Sequence, residues 1–109
     1  MAFYMVQATY TAEALATMAK NPQDRSAPVR ELVQKLGGRQ VGFYFCFGEY
    51  DVVILVELPD DTVATAVAMA AMSPGHLKAY KTTKLFTVEE TMEAMRKAGS
   101  LAFPGPSRG

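Results

Sequence analysis

The chain has 109 residues, half of them hydrophobic and 20% charged, which excludes a disordered polymer and leaves room for one modest core. Eleven basic residues balance eleven acidic ones, so the net charge favours neither nucleic acid nor an anionic membrane surface. The single cysteine, Cys46, excludes an internal disulfide, and with only one histidine beside it in the composition no protein metal site is expected.

Phe3 to Tyr10 is rich in aromatic and β-branched residues, which predicts a strand ending at Thr11, a good N-cap. Thr11 to Lys20 then reads as a short helix, interrupted at Asn21-Pro22 because the residue before proline is pushed out of helical geometry. Ser26 is expected to cap a second segment in which Val29, Leu32, Val33 and Leu36 form one apolar stripe. Gly37-Gly38 ends it.

Arg39 to Phe47 is the clearest strand: Val41, Phe43, Phe45 and Phe47 alternate with Gln40, Gly42, Tyr44 and Cys46. Gly48-Glu49 fits a two-residue hairpin turn of type II′, which places glycine first. Tyr50 to Leu58 returns as a strand apolar on both faces, and so is expected to be central. Pro59-Asp60-Asp61 stops it and starts a helix over Thr62 to Met72, which ends at Ser73-Pro74-Gly75. Leu77 to Phe86 is the fourth strand, and its lysines suit a sheet edge. Thr87-Val88-Glu89-Glu90 is a capping box opening a last helix, with Val88, Met92 and Met95 on a narrow apolar stripe. Residues 1–98 are expected to form one domain and residues 99–109 a flexible tail.

The order is βαββαβ with an additional C-terminal helix, an α+β arrangement of the ferredoxin-like kind. Right-handed crossovers then place the first and third strands centrally and both main helices on one sheet face. The strands are nevertheless apolar on both faces, and an uncovered face of several hundred Å2 is unusual in a monomer. Two covers are open: a second copy packing sheet against sheet as a dimeric α+β barrel, or the last helix folding back.

Gly48-Glu49-Tyr50-Asp51, with Tyr10-Thr11, Leu36-Gly37-Gly38, Phe43-Tyr44 and Val56-Glu57-Leu58-Pro59-Asp60-Asp61, resembles the GYD-domain family, named for a signature at this hairpin. The resemblance covers about residues 3 to 87. It implies a dimeric α+β barrel and carries no settled chemistry. Asp51 and its neighbours then have two readings. Gly48 can supply positive φ while Asp51 pins the turn by accepting hydrogen bonds. Alternatively Glu49, Tyr50 and Asp51 present polar groups at a pocket mouth.

Other candidates for chemistry are sparse. His76 is the only side chain that titrates naturally near neutral pH, and it reads as a surface turn residue or a ligand. A haem-type monooxygenase would use His76 with Gln7 as companion, but the chain lacks tryptophan and a basic cluster for propionates. Cys46 reads as a small buried hydrophobe. Lys78, Lys81 and Lys84 are split between faces by alternation, and Glu49 to Asp61 carries acids without a basic residue, so no nucleic-acid interface is expected.

The expected function is a small homo-oligomeric protein binding an apolar or aromatic ligand between sheet and helices, without a cofactor. Tyr4, Gln7, Tyr44, Tyr50, Asp51 and His76 are its candidate polar groups, Gln7 and Asp51 foremost. The alternatives are a monooxygenase-like enzyme in the same pocket and a scaffold or interaction module. The start Met1-Ala2-Phe3-Tyr4 carries no positive leader and no window approaches ~18 apolar residues, so a cytoplasmic protein off the membrane is expected.

Overall fold

In the computed structural model, which describes residues 1–107, the elements follow the chain as β1 (Ala2–Tyr10), α1 (Ala12–Lys20), α2 (Ser26–Lys35), β2 (Arg39–Phe45), β3 (Val52–Leu58), α3 (Asp61–Met72), β4 (Leu77–Leu85) and α4 (Val88–Gly99). All strands pair antiparallel in one sheet of order β2-β3-β1-β4, the ferredoxin-like order, with β1 and β3 central. Of the tail expected from residue 99 onward, residues 100–107 form no helix or strand, and Arg108 and Gly109 lie outside the described residues.

Local chemistry sets the boundaries. Thr11, Asp60 and Thr87 each accept a backbone N–H at a helix start, and Thr87 and Glu90 complete the expected capping box. Ser26 is a correction. It does not cap α2. Instead Asp24 Oδ1 accepts the Ser26 backbone N–H at 2.9 Å and its hydroxyl, because a carboxylate two residues upstream closes an Asx turn onto the helix start.

Two expectations for the hairpin also change. The register slips between Gln40 and Gly42, so a bulge at Val41 resets the alternation of β2. Phe43 and Phe45 oppose Ile54 and Val52, while Gly42 and Tyr44 oppose Leu55 and Val53 on the other face. The expected two-residue turn is a longer loop, 47–50, closed where the Cys46 N–H donates to the Asp51 carbonyl at 2.8 Å. Gly48 does hold positive φ, at 132°. The loop is longer because the Asp51 N–H is drawn away to the Ala8 carbonyl of β1, at 2.9 Å.

The helix-covered face carries the core. Tyr4, Val6, Ala8 and Tyr10 of β1 meet Val52, Ile54, Val56 and Leu58 of β3, under Val33 of α2 and Ala64 and Val67 of α3. Val33, Val52, Val56 and Leu58 are fully buried, each contributing roughly 1.5–3 kcal/mol of transfer free energy. The opposite face carries Phe3, Met5, Gln7 and Thr9 beside Val53, Leu55 and Glu57, and among the described residues no helix lies over it.

Of the two covers open to that face, the fold-back is absent. α4 buries none of its residues, and Val88, Met92 and Met95 stay exposed. The molecule extends 60 × 38 × 21 Å with a radius of gyration of 18.1 Å, against about 13 Å for a compact chain of about this length. The excess matches a projecting helix.

Candidate functional site

The strand periodicity that points Val6, Ala8 and Tyr10 toward the helices leaves space between the sheet and α2 and α3. A cavity of about 180 Å3 lies there, floored by Val6, Ala8, Val52 and Ile54 and walled by Val29, Leu32, Val67 and Ala71. Its lining is mostly hydrocarbon. The polar exceptions are Tyr10, Arg25, His76 and Tyr80.

Three of these gather at one end. Tyr10, Arg25 and His76, with Pro74, also line a wider and more polar outer groove that continues past Thr11, Glu13, Thr17 and Gln23. They therefore mark the threshold between an apolar interior and a wet exterior. The Tyr10 and His76 rings stack with centroids 6.5 Å apart and planes at 22°. The Thr11 N–H donates to the His76 carbonyl at 3.0 Å, which ties the end of β1 to the start of β4. Burial pushes the Tyr10 phenol above its ordinary pKa, and the adjacent Arg25 guanidinium pulls against it as a charge and a donor. The phenol is neutral at pH 7 and available as a hydrogen-bond donor. Tyr80, deeper inside, is pushed up to about 12 by burial.

The expected polar groups are dispersed around this cavity. His76 lines it, and is half-buried rather than a surface turn residue, because stacking on Tyr10 holds it inward. Gln7 and Tyr44 lie on the uncovered sheet face, opposite Val53 of β3. Asp51 turns toward the protein: its Oδ2 accepts the Tyr10 N–H at 2.9 Å. Tyr50 is half-buried in the loop and its carbonyl accepts from the Cys46 thiol at 3.1 Å. Cys46 is thus exposed and donating, not buried, since it stands just beyond the end of β2 at the start of the hairpin loop. Tyr4 donates to Asp61 Oδ1 in a separate shallow pocket with Lys84.

Arg25, Tyr10 and Tyr80 are threshold or cavity residues that sequence reasoning did not single out. Tyr10 and Tyr80 carried only a strand-pattern signal. Arg25 stood in the Pro22 to Pro28 interruption, where no periodicity assigns a direction. Among the described residues no group of three or more His, Cys, Asp or Glu side chains could hold a metal ion, and no helix is long and apolar enough to cross a membrane.

The GYD domain model matches residues 4–95. Among solved structures, the chain is similar to MtbAldR, with 17% identity and a TM-score of 0.53 over 79% of this chain and 52% of that one. It is also similar to TTHA0845 from Thermus thermophilus, with 20% identity and a TM-score of 0.52 over 81% and 96% of the two chains. The chain spans about half the length of MtbAldR. These likenesses establish the fold. No curated protein matches the sequence.

Proposed function

The chain belongs to the GYD domain family, and from that membership we propose a small self-associating α+β domain that binds an apolar or aromatic small molecule. The cavity between sheet and helices carries this reading. It is concave and apolar, with a few convergent polar groups at one end, which is the usual form of a ligand site. An engineered cavity of roughly 150 Å3 with such a lining binds benzene, so about 180 Å3 suits a six-membered ring or short aliphatic chain. Self-association is supported by the uncovered apolar sheet face and by the exposed stripe of α4.

Organic extraction of the purified protein, followed by mass spectrometry, tests this directly. The expected result is a small apolar compound present near one per chain. Ala71→Leu, which adds bulk to the cavity wall, is expected to lose it. An empty extract, with no small aromatic compound raising the melting temperature, would remove the ligand-binding reading in favour of a scaffold.

A further inference from the structure

Resting on that cavity reading, we propose that its ligand is a monocarboxylate, with a ring or short chain inside the cavity and the carboxylate held at the threshold by Arg25. The charge distribution carries the inference. Among the described residues, Arg25 is the only permanently charged one lining the inner cavity, and no acidic residue lines it. Glu13 borders the outer groove alone. A cationic head at the threshold would be repelled by Arg25, whereas an anionic one would pair with it.

Arg25 also has no carboxylate partner among the described residues. It is half-buried, which removes part of its hydration, yet it belongs to none of the ion pairs of the described residues. Beyond its approach to the Tyr10 phenol, its side-chain hydrogen bond from Nη1 to Gln23 Oε1 is long at 3.4 Å. A guanidinium has five N–H donors in a planar fork that matches a carboxylate bidentately. The neutral Tyr10 phenol and His76 stand at the same threshold and can add donors.

The remaining surroundings select against other anions. Among the described residues no lysine and no glycine-rich loop lines either space, so the second charge of a phosphate monoester would lack a second permanent cation. A dicarboxylate would place its second charge against hydrocarbon, which is unfavourable without a partner. One anionic head on an apolar body fits both halves of the site.

The test compares 3-phenylpropanoate with its neutral isostere 3-phenylpropanamide by calorimetry, with toluene as a probe of the cavity alone. On the unaltered protein the carboxylate is expected to bind at least tenfold more tightly than the amide. Arg25→Gln should erase that ratio while toluene still binds, and Arg25→Lys should keep part of it, since it retains the charge but not the fork. Equal binding of acid and amide, or a ratio that survives Arg25→Gln, overturns the carboxylate assignment and leaves the cavity reading standing. If toluene, acid and amide all fail to bind, the cavity reading falls and takes this inference with it.

Discussion

The Asp51 carboxylate accepts the backbone N–H of Tyr10 at 2.9 Å, joining the hairpin loop to the last residue of β1. The β1–β3 register ends at Ala8 and Val52, so the Tyr10 N–H, directed to the hairpin side, has no strand partner beyond it and takes the carboxylate instead. Two further bonds clamp the same corner, from the Asp51 N–H to the Ala8 carbonyl and from Thr9 Oγ1 to the Glu49 carbonyl. The Gly-Glu-Tyr-Asp stretch is thus a device for holding the end of β1, and through Tyr10 it positions one wall of the cavity.

Asp51→Ala should accordingly destabilise the fold by about 1–3 kcal/mol, the cost of stranding a partly buried donor. Asp51→Asn keeps an acceptor and should lose less than half as much. Denaturant midpoints of the two variants check this. An alanine variant as stable as the parent would show that water replaces the carboxylate without cost.

Gly38 and Gly48 should behave differently when substituted. A Cβ at Gly38 would stand 2.4 Å from the Glu57 carbonyl oxygen and 2.6 Å from Leu58 Cδ2, so α2 could not approach β3 as closely. Gly38→Ala is expected to cost at least about 2 kcal/mol, in the range of overpacking. A Cβ at Gly48 meets nothing within 4 Å, but its φ of +132° strains a β-branched residue. Gly48→Val should cost about 1–3 kcal/mol through the backbone alone, and Gly48→Ala less. Thermal melts of the three variants separate the two causes.

The element order and the central placement of β1 and β3 were legible because cap residues and apolar alternation are local signals. The bulge at Val41 was not, since inserting one residue changes no composition and leaves Val41, Phe43 and Phe45 looking like one face. A cavity between sheet and helices was legible in its place, but of the candidate polar groups only His76 lines it. Gln7 and Asp51 drew attention as polar groups within apolar strands. Yet Gln7 faces the uncovered side, and Asp51 is taken up by the Tyr10 N–H. Arg25 and His76 line the same cavity from segments far apart in the chain, a tertiary fact with no local trace.

Two tyrosines should mark alkaline unfolding. Burial pushes Tyr80 up to about 12, and burial with the hydrogen bond to Asp61 pushes Tyr4 to about 12. A phenol raised in the folded state stabilises it fully below the unfolded value near 10, and that contribution fades as pH rises through about 12. At the acid end, the hydrogen bond from Tyr4 and the pairing with Lys84 at 3.2 Å hold the Asp61 carboxyl below its ordinary value. That contribution is present above the ordinary carboxylate pKa and is lost as pH falls below it. Ultraviolet titration should show a late tyrosinate step that Tyr80→Phe and Tyr4→Phe each reduce. Tyr4→Phe alone should also flatten the acid limb of the stability profile.

Self-association should depend on Tyr44 and not on Phe45. Both aromatics are exposed, at 62% and 60%, but they point to opposite faces. Phe45 opposes Val52 on the helix-covered side and packs edge-on to Phe43 at 5.4 Å. Tyr44 opposes Val53 on the uncovered side, in line with Gln7 and beside Leu55. Sheet-to-sheet packing of a second copy would bury Tyr44, and Tyr44→Asp would then place an unpaired charge in the contact. The expected outcome in sedimentation at micromolar concentration is a dimer or larger for the parent and a folded monomer for Tyr44→Asp. Phe45→Asp should instead lower the melting temperature and leave assembly intact in the fraction that folds. A parent that sediments as a monomer would mean that the apolar face remains in water. An assembly untouched by Tyr44→Asp would move the contact to the stripe of Val88, Met92 and Met95 on α4, where Met92→Glu becomes the decisive variant.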